Sequence, residues 1–142
     1  LNVDEKVKEF KEISKRRGLK VTPQRIAILK EILSRADHPS AEDIYESLKP
    51  KIPGISLTTV YRTLSYFEEF GFIHRVPTLT DKVRYETRSV PHSHFICINC
   101  GEIYDIDFVP DFDEGAFTSK GLEPINCSFI CYGLCKMCRE RE

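Results

Sequence analysis

The sequence predicts an α+β chain made of two chemically distinct parts. Two observations predict it. In the first half, apolar residues recur at helical spacing in four segments that carry their own start and stop signals, and two short β-like runs follow. All six cysteines lie in the second half, four of them as two C-x-x-C pairs among short strand-like runs.

The helices can be justified in order. Val3, Val7, Phe10 and Ile13 form one apolar stripe, and Gly18 is a stop. Thr22 followed by Pro23 is an N-cap with proline at the first helical position; Ile26, Leu29, Ile32 and Leu33 then repeat as a buried face to about Arg35. After the turn at Asp37-His38-Pro39, Ser40 with Asp43 makes a capping box, with Ile44, Tyr45 and Leu48 facing inward and Pro50 and Pro53 beyond the end. Ser56 caps a fourth helix in which Val60, Leu64 and Phe67 point inward and Gly71 closes the C-terminus.

The outer face of that fourth helix carries Thr58, Thr59, Tyr61, Arg62, Ser65 and Tyr66. Hydroxyls and a guanidinium near a helix N-terminus bond phosphates and base edges when such a helix enters a major groove. Two β-like runs, Phe72 to Val76 and Lys82 to Thr87, enclose a polar turn, and His74 is a residue of this wing. Three helices and a hairpin, with an extra helix in front, predict a winged helix-turn-helix. The same helices would also serve an ordinary bundle with a polar surface.

Residues 1–84 are therefore assigned to a DNA-binding domain, 85–92 to a hinge containing Pro91, and 93–142 to a small α/β domain of the kind that dimerises through its sheet. Pro91 to Asp105 reads as a hairpin, with His92, His94 and Ile96 on one side of a strand, a corner at Gly101 and a return from Glu102 to Asp107. A short helix near Asp113 to Ser119, a strand from Ile125 to Tyr132 and a turn at Gly133 complete it. Cys127 and Cys131 are expected as buried strand residues.

Charge separates the halves. Up to Val83 there are 15 Lys and Arg against 12 Asp and Glu, and from Arg84 onward 6 against 10, so only the first half suits a polyanion. No apolar run approaches the roughly 20 residues that span a bilayer, and no signal peptide is visible, which predicts a cytoplasmic protein without a membrane partner. The sequence contains no G-x-S-x-G, phosphate loop or H-E-x-x-H pattern, which argues against an enzyme.

Cys97, Cys100, Cys135 and Cys138 make an S₄ set, the donor type that favours Zn²⁺ in a closed structural site. Two reactive dithiols or a disulfide are the alternatives; a thiol oxidoreductase would need one pair to be reducible and low in pKa. His92 and His94, with Glu86 and Asp105, offer a second, mixed nitrogen and oxygen set suited to Fe²⁺, Mn²⁺ or Zn²⁺. His38 before Pro39 is, by its position alone, a turn residue.

The pieces LKVTPQRIAIL, HPSAEDIY, TTVYRTL, HSHFICINCG and YGLCKMC, in this order, resemble the Fur superfamily of bacterial metal-dependent repressors along essentially the whole chain. The resemblance implies a winged helix that binds palindromic operators in double-stranded DNA, a homodimer, and a regulatory metal between the two domains. It implies that the regulatory metal falls on His38, Glu86, His92, His94 and Asp105, and structural zinc on Cys97, Cys100, Cys135 and Cys138. Tyr61 and Arg62 match positions near bases, and Lys20 a basic residue near the minor groove.

Within the superfamily, Asp105 resembles the peroxide-sensing PerR branch, whereas Glu86 resembles the iron-sensing Fur branch. A further metal site of many Fur and Zur proteins corresponds here to Pro91, Ser93, Phe112 and Cys127, none of them the usual histidine or carboxylate, which favours a two-site, PerR-like protein. On that reading the regulatory metal is Fe²⁺ or Mn²⁺, with Zn²⁺ as a further candidate, and peroxide oxidises His38 or His92. An iron-uptake or zinc-uptake regulator is the alternative.

Overall fold

The computed structural model describes residues 2–88, 90–125 and 127–141. The chain divides into two compact units, one of Leu1–Val76 with Thr80–Arg88 and the other of Pro77–Leu79 with Ser89–Glu142.

The first unit is helical because each apolar stripe is bounded by side chains that satisfy the helix ends. Helix α1 (Val3–Arg16) begins at Asn2, whose side chain accepts the Glu5 amide, and stops at Gly18, where φ is +68°. Helix α2 (Pro23–Leu33) starts under the Thr22 hydroxyl, which accepts the Arg25 amide, and ends slightly before the expected Arg35. Helix α3 (Ala41–Leu48) carries both halves of the Ser40–Asp43 capping box. Helix α4 (Leu57–Glu69) is capped by Ser56.

These helices enclose one core. Phe10, Ile28, Leu29, Ile44, Leu64 and Phe67 are buried in it, and Phe10 meets Phe67 edge-to-face at 5.2 Å. Strands β1 (His74–Val76) and β2 (Arg84–Glu86) form the antiparallel hairpin, with Arg75 opposite Tyr85. Tyr85 is buried in the same core, so the chain is still part of the first unit where the hinge over 85–92 was expected to begin. Ser89 of that expected hinge lies outside the described residues.

The second unit is a three-stranded sheet in the order β4-β3-β5, formed by β3 (Ser93–Cys97), β4 (Ile103–Ile106) and β5 (Ile130–Gly133). β3 runs antiparallel to β4 and parallel to β5. Among the described residues it also has two short helices, α5 (Gly115–Thr118) and α6 (Lys136–Arg139). Gly133 is a strand residue rather than a turn: a Cβ there would stand 2.9 Å from the Phe95 ring, so glycine lets β5 lie close to β3.

Two expectations for this unit are corrected. The strand predicted from Ile125 begins only at Ile130, and Asn126 lies outside the described residues. Cys127 and Cys131 are exposed instead of buried. Cys131 stands beside Phe95, and Phe95 beside Tyr104, which is 41% exposed. Along this row the described residues leave Cys131 and Tyr104 exposed and Phe95 only partly buried, so strand position alone does not bury a side chain there.

Candidate metal centres and nucleic-acid interface

The four thiols are gathered from two places. Cys97 ends β3, and Cys100 follows in the corner that Gly101 turns at φ +77°; Cys135 is the N-cap of α6, and Cys138 lies within that helix. Their Sγ atoms all lie within 4.8 Å of one another, and Cys100 Sγ is 3.8 Å from Cys135 Sγ. A tetrahedron of zinc–sulfur bonds has edges of about 3.8 Å, so the cluster fits that ion.

Surrounding donors orient the sulfurs. The Cys135 amide donates to Cys97 Sγ at 3.4 Å, and Asn99 Nδ2 to Cys138 Sγ at 3.2 Å. The amides of Cys100 and Cys135 lower the Cys97 thiol to about 6, and the Cys138 amide lowers Cys135. Against the Glu102 amide, which favours its thiolate, Cys100 is pushed up to about 11 by the adjacent Cys97 sulfur and by burial. A cation that replaces the thiol protons finds some sulfurs already inclined to lose them.

The imidazoles and carboxylates form one arrangement in each unit. In the first, His38 Nε2 lies 3.5 Å from Glu86 Oε2, and both side chains are largely buried. His38 has φ +53°, a left-handed conformation that costs a histidine about 1–2 kcal/mol. The surroundings hold it there. Asp37 receives two bonds from the Arg35 guanidinium, at 2.9 and 2.7 Å; Arg84 donates to the His38 carbonyl at 3.1 Å, and the Tyr85 amide to the Pro39 carbonyl at 2.9 Å. The turn bearing His38 is thereby stitched to β2, the strand that bears Glu86.

In the second unit, His94 and Asp105 are register partners on β3 and β4. His92 Nε2 and His94 Nε2 lie 3.6 and 3.5 Å from the same oxygen, Asp105 Oδ1. The His92 Nδ1 is 2.7 Å from the Val90 carbonyl, which fixes that ring, and the two ring centroids are 4.7 Å apart. Two imidazole nitrogens and a carboxylate oxygen converge, a donor set that suits a divalent first-row metal.

The four positions of the further site do not form such a cluster. The Ser93 hydroxyl donates to the Phe108 carbonyl, Phe112 packs on Phe117 with ring centroids 5.1 Å apart, Pro91 has no ligand atom in its side chain, and Cys127 is exposed.

On α4, Thr58, Tyr61 and Arg62 are exposed and Thr59 is half-buried, its hydroxyl 2.9 Å from that of Ser56. Lys20 is exposed, and its carbonyl accepts from Arg25, whose guanidinium lies over the Tyr66 ring at 5.2 Å. Sequence reasoning missed Glu42, which accepts the Tyr61 hydroxyl, and the Arg35–Asp37 pair beside His38. The only signal was an acidic residue at each place; its partner is set by how the helices pack.

The model of the ferric uptake regulator family matches residues 16–132. The chain belongs to this family. The peroxide operon regulator of Bacillus subtilis is 35% identical over 139 residues, covering 96% of this chain and 95% of the relative. The peroxide-responsive repressor PerR of Staphylococcus saprophyticus is 35% identical over 127 residues, covering 87% and 85%. Among solved structures, the Helicobacter pylori ferric uptake regulator Fur, described as having three functional metal binding sites, is similar with a TM-score of 0.80 at 25% identity, covering 100% of this chain and 97% of that one. The chain is thus a Fur-family regulator of mixed helix and strand, with relatives in both the iron and the peroxide branches.

Proposed function

We propose that this Fur-family protein is a cytoplasmic, homodimeric repressor of the PerR type, which binds palindromic double-stranded DNA when a regulatory Fe²⁺ or Mn²⁺ is bound and releases it on exposure to peroxide. The observation that carries the reading is the pair of imidazole–carboxylate arrangements, His38 with Glu86 in one unit and His92 and His94 with Asp105 in the other. A metal drawing ligands from both would favour conformers in which the two units are held together. Only ligand affinity that differs between conformers can shift their populations, and the coupling is reciprocal, so DNA would also tighten metal binding.

Residues 1–84 would be the DNA-binding part, with Thr58, Thr59, Tyr61 and Arg62 in the major groove and Lys20 near the minor groove. Residues 93–142 would form the dimer, with Cys97, Cys100, Cys135 and Cys138 holding structural zinc, and 85–92 would link them. The exposed Ile106, Phe108 and Tyr132, at 41%, 52% and 54%, supply apolar surface for a second copy.

Fe²⁺ held by these residues would supply activation of hydrogen peroxide toward a ligand imidazole, and the imidazole ring would give up the two electrons that break the O–O bond. His38 or His92 would take up one oxygen atom, the other leaving as water, and an oxidised imidazole no longer donates as before. Titrating operator binding with Fe²⁺, Mn²⁺ and Zn²⁺, with and without peroxide, tests this. A mass gain of one oxygen on a peptide holding His38 or His92, after Fe²⁺ with peroxide and not after Mn²⁺ with peroxide, is the expected result. An unmodified Fe²⁺ protein that stays on DNA refutes peroxide sensing and leaves iron sensing, the reading that Glu86 and the likeness to the Helicobacter pylori protein favour. Tightest operator binding with Zn²⁺ would instead indicate a zinc-uptake regulator.

A further inference from the structure

Tyr61 is 44% exposed on α4, yet its hydroxyl is engaged: it donates to the Glu42 carboxylate, 2.9 Å from Oε1 and 2.7 Å from Oε2. Glu42 lies in the first turn of α3, where the partial positive charge of the helix end favours a carboxylate. A phenol has a single proton to donate. With that proton held by Glu42, the hydroxyl offers incoming groups only its lone pairs, and the carboxylate beside it likewise only accepts. The hydrogen bond to Glu42, followed by partial burial and the negative charge of the same carboxylate, raises the pKa of Tyr61, which keeps the proton on the phenol.

This polarity restricts what the pair can meet. In a major groove the hydrogen-bond donors are the exocyclic amines of adenine and cytosine; guanine O6 and N7, thymine O4 and phosphate oxygens are acceptors. We propose that Tyr61 and Glu42 act as an acceptor-only pair that reads the exocyclic amine of one adenine or cytosine in each half-site, with Glu42 the specificity-determining residue that sets the direction of the Tyr61 hydrogen bond. The inference rests on the DNA-binding reading above and deepens it. It also separates Tyr61 from backbone anchors, because a carboxylate at this edge repels phosphate.

The test uses the full-length, Mn²⁺-loaded protein and a duplex selected from a random library. Each adenine is then replaced in turn by purine, and each cytosine by 2-pyrimidinone, so that single amines are removed. At one symmetric position, loss of the amine is expected to weaken wild-type binding about tenfold, the scale of one good base contact. Tyr61→Phe should feel that replacement less than about twofold on the same scale. Glu42→Gln, whose amide can donate to the phenol oxygen and free its proton, should lose most of the same preference. A selected duplex with no amine-sensitive position in the wild type, or with the wild-type pattern kept in both variants, overturns the proposal while DNA binding stands. Failure to select any duplex refutes the DNA-binding reading itself, and the proposal with it.

Discussion

His38 is a strained residue to which the proposed function assigns a metal. Its left-handed backbone is maintained by bonds to the carbonyls and carboxylate around it rather than by its own preference. His38→Gly removes the donor and also the strain, since glycine adopts φ +53° readily. Its metal-free stability should therefore stay within about 1 kcal/mol of wild type in urea unfolding, while operator binding no longer responds to added Mn²⁺. The neighbouring Asp37 adds a pH term. Its pKa is lowered, chiefly by the hydrogen bond from Arg35, so the folded state binds its proton less readily than the unfolded chain does. The stabilisation is fully present above the ordinary carboxylate range near about pH 4 and is lost as pH falls through the depressed folded value. Because the pair is solvent-accessible the effect is small, and Asp37→Asn should show a shallower fall in urea midpoint on acidification than the wild type.

Among the elements, helix α4 owes its start to one side chain. The Ser56 hydroxyl accepts the Thr59 amide at 3.1 Å, and Ser56→Ala should cost about 1 kcal/mol in equilibrium unfolding, with operator affinity falling further because the exposed positions of the first turns fray first. Such caps were legible in the sequence, as Thr22-Pro23, Ser40 with Asp43 and Ser56 each stand where a helix begins. A cap acts over three residues, so the code for it is local. The exposure of Cys131 was not legible, because it depends on what packs over the Phe95 face of the sheet and not on strand position. Nor was the bond from Tyr61 to Glu42, 19 residues away, which arises from the packing of α3 against α4. The thiol cluster was legible through its paired spacing, whereas His38 was singled out only through the resemblance.

For the whole molecule, the two units differ in what holds them together. The first has an apolar core of its own, centred on Phe10, Phe67 and the α2 residues. The second has Cys97, Cys135 and Cys138 as a buried cluster and leaves much apolar surface exposed. Removing zinc with a strong chelator should therefore collapse the second unit while most of the helical far-ultraviolet signal, which comes from α1 to α4, persists. A colorimetric zinc indicator should report about one ion released per chain as that transition occurs. Loss of the helical signal at the same chelator concentration would show that the first unit also depends on the thiols.

Strand β3 places His94 three residues before Cys97, and its pairing sets His94 against Asp105. Side chains alternate along a strand, so a slip of one residue would turn His94 away from Asp105 and bring Phe95 to its place. On the proposed reading, the thiol cluster at one end of β3 would be a register lock for the proposed metal ligand His94 near the other. In a genetic screen for lost repression, cysteine and histidine substitutions would fall into one phenotypic class. They would separate only when the proteins themselves were compared, the histidine variants folded and unresponsive, the cysteine variants without a correctly paired sheet.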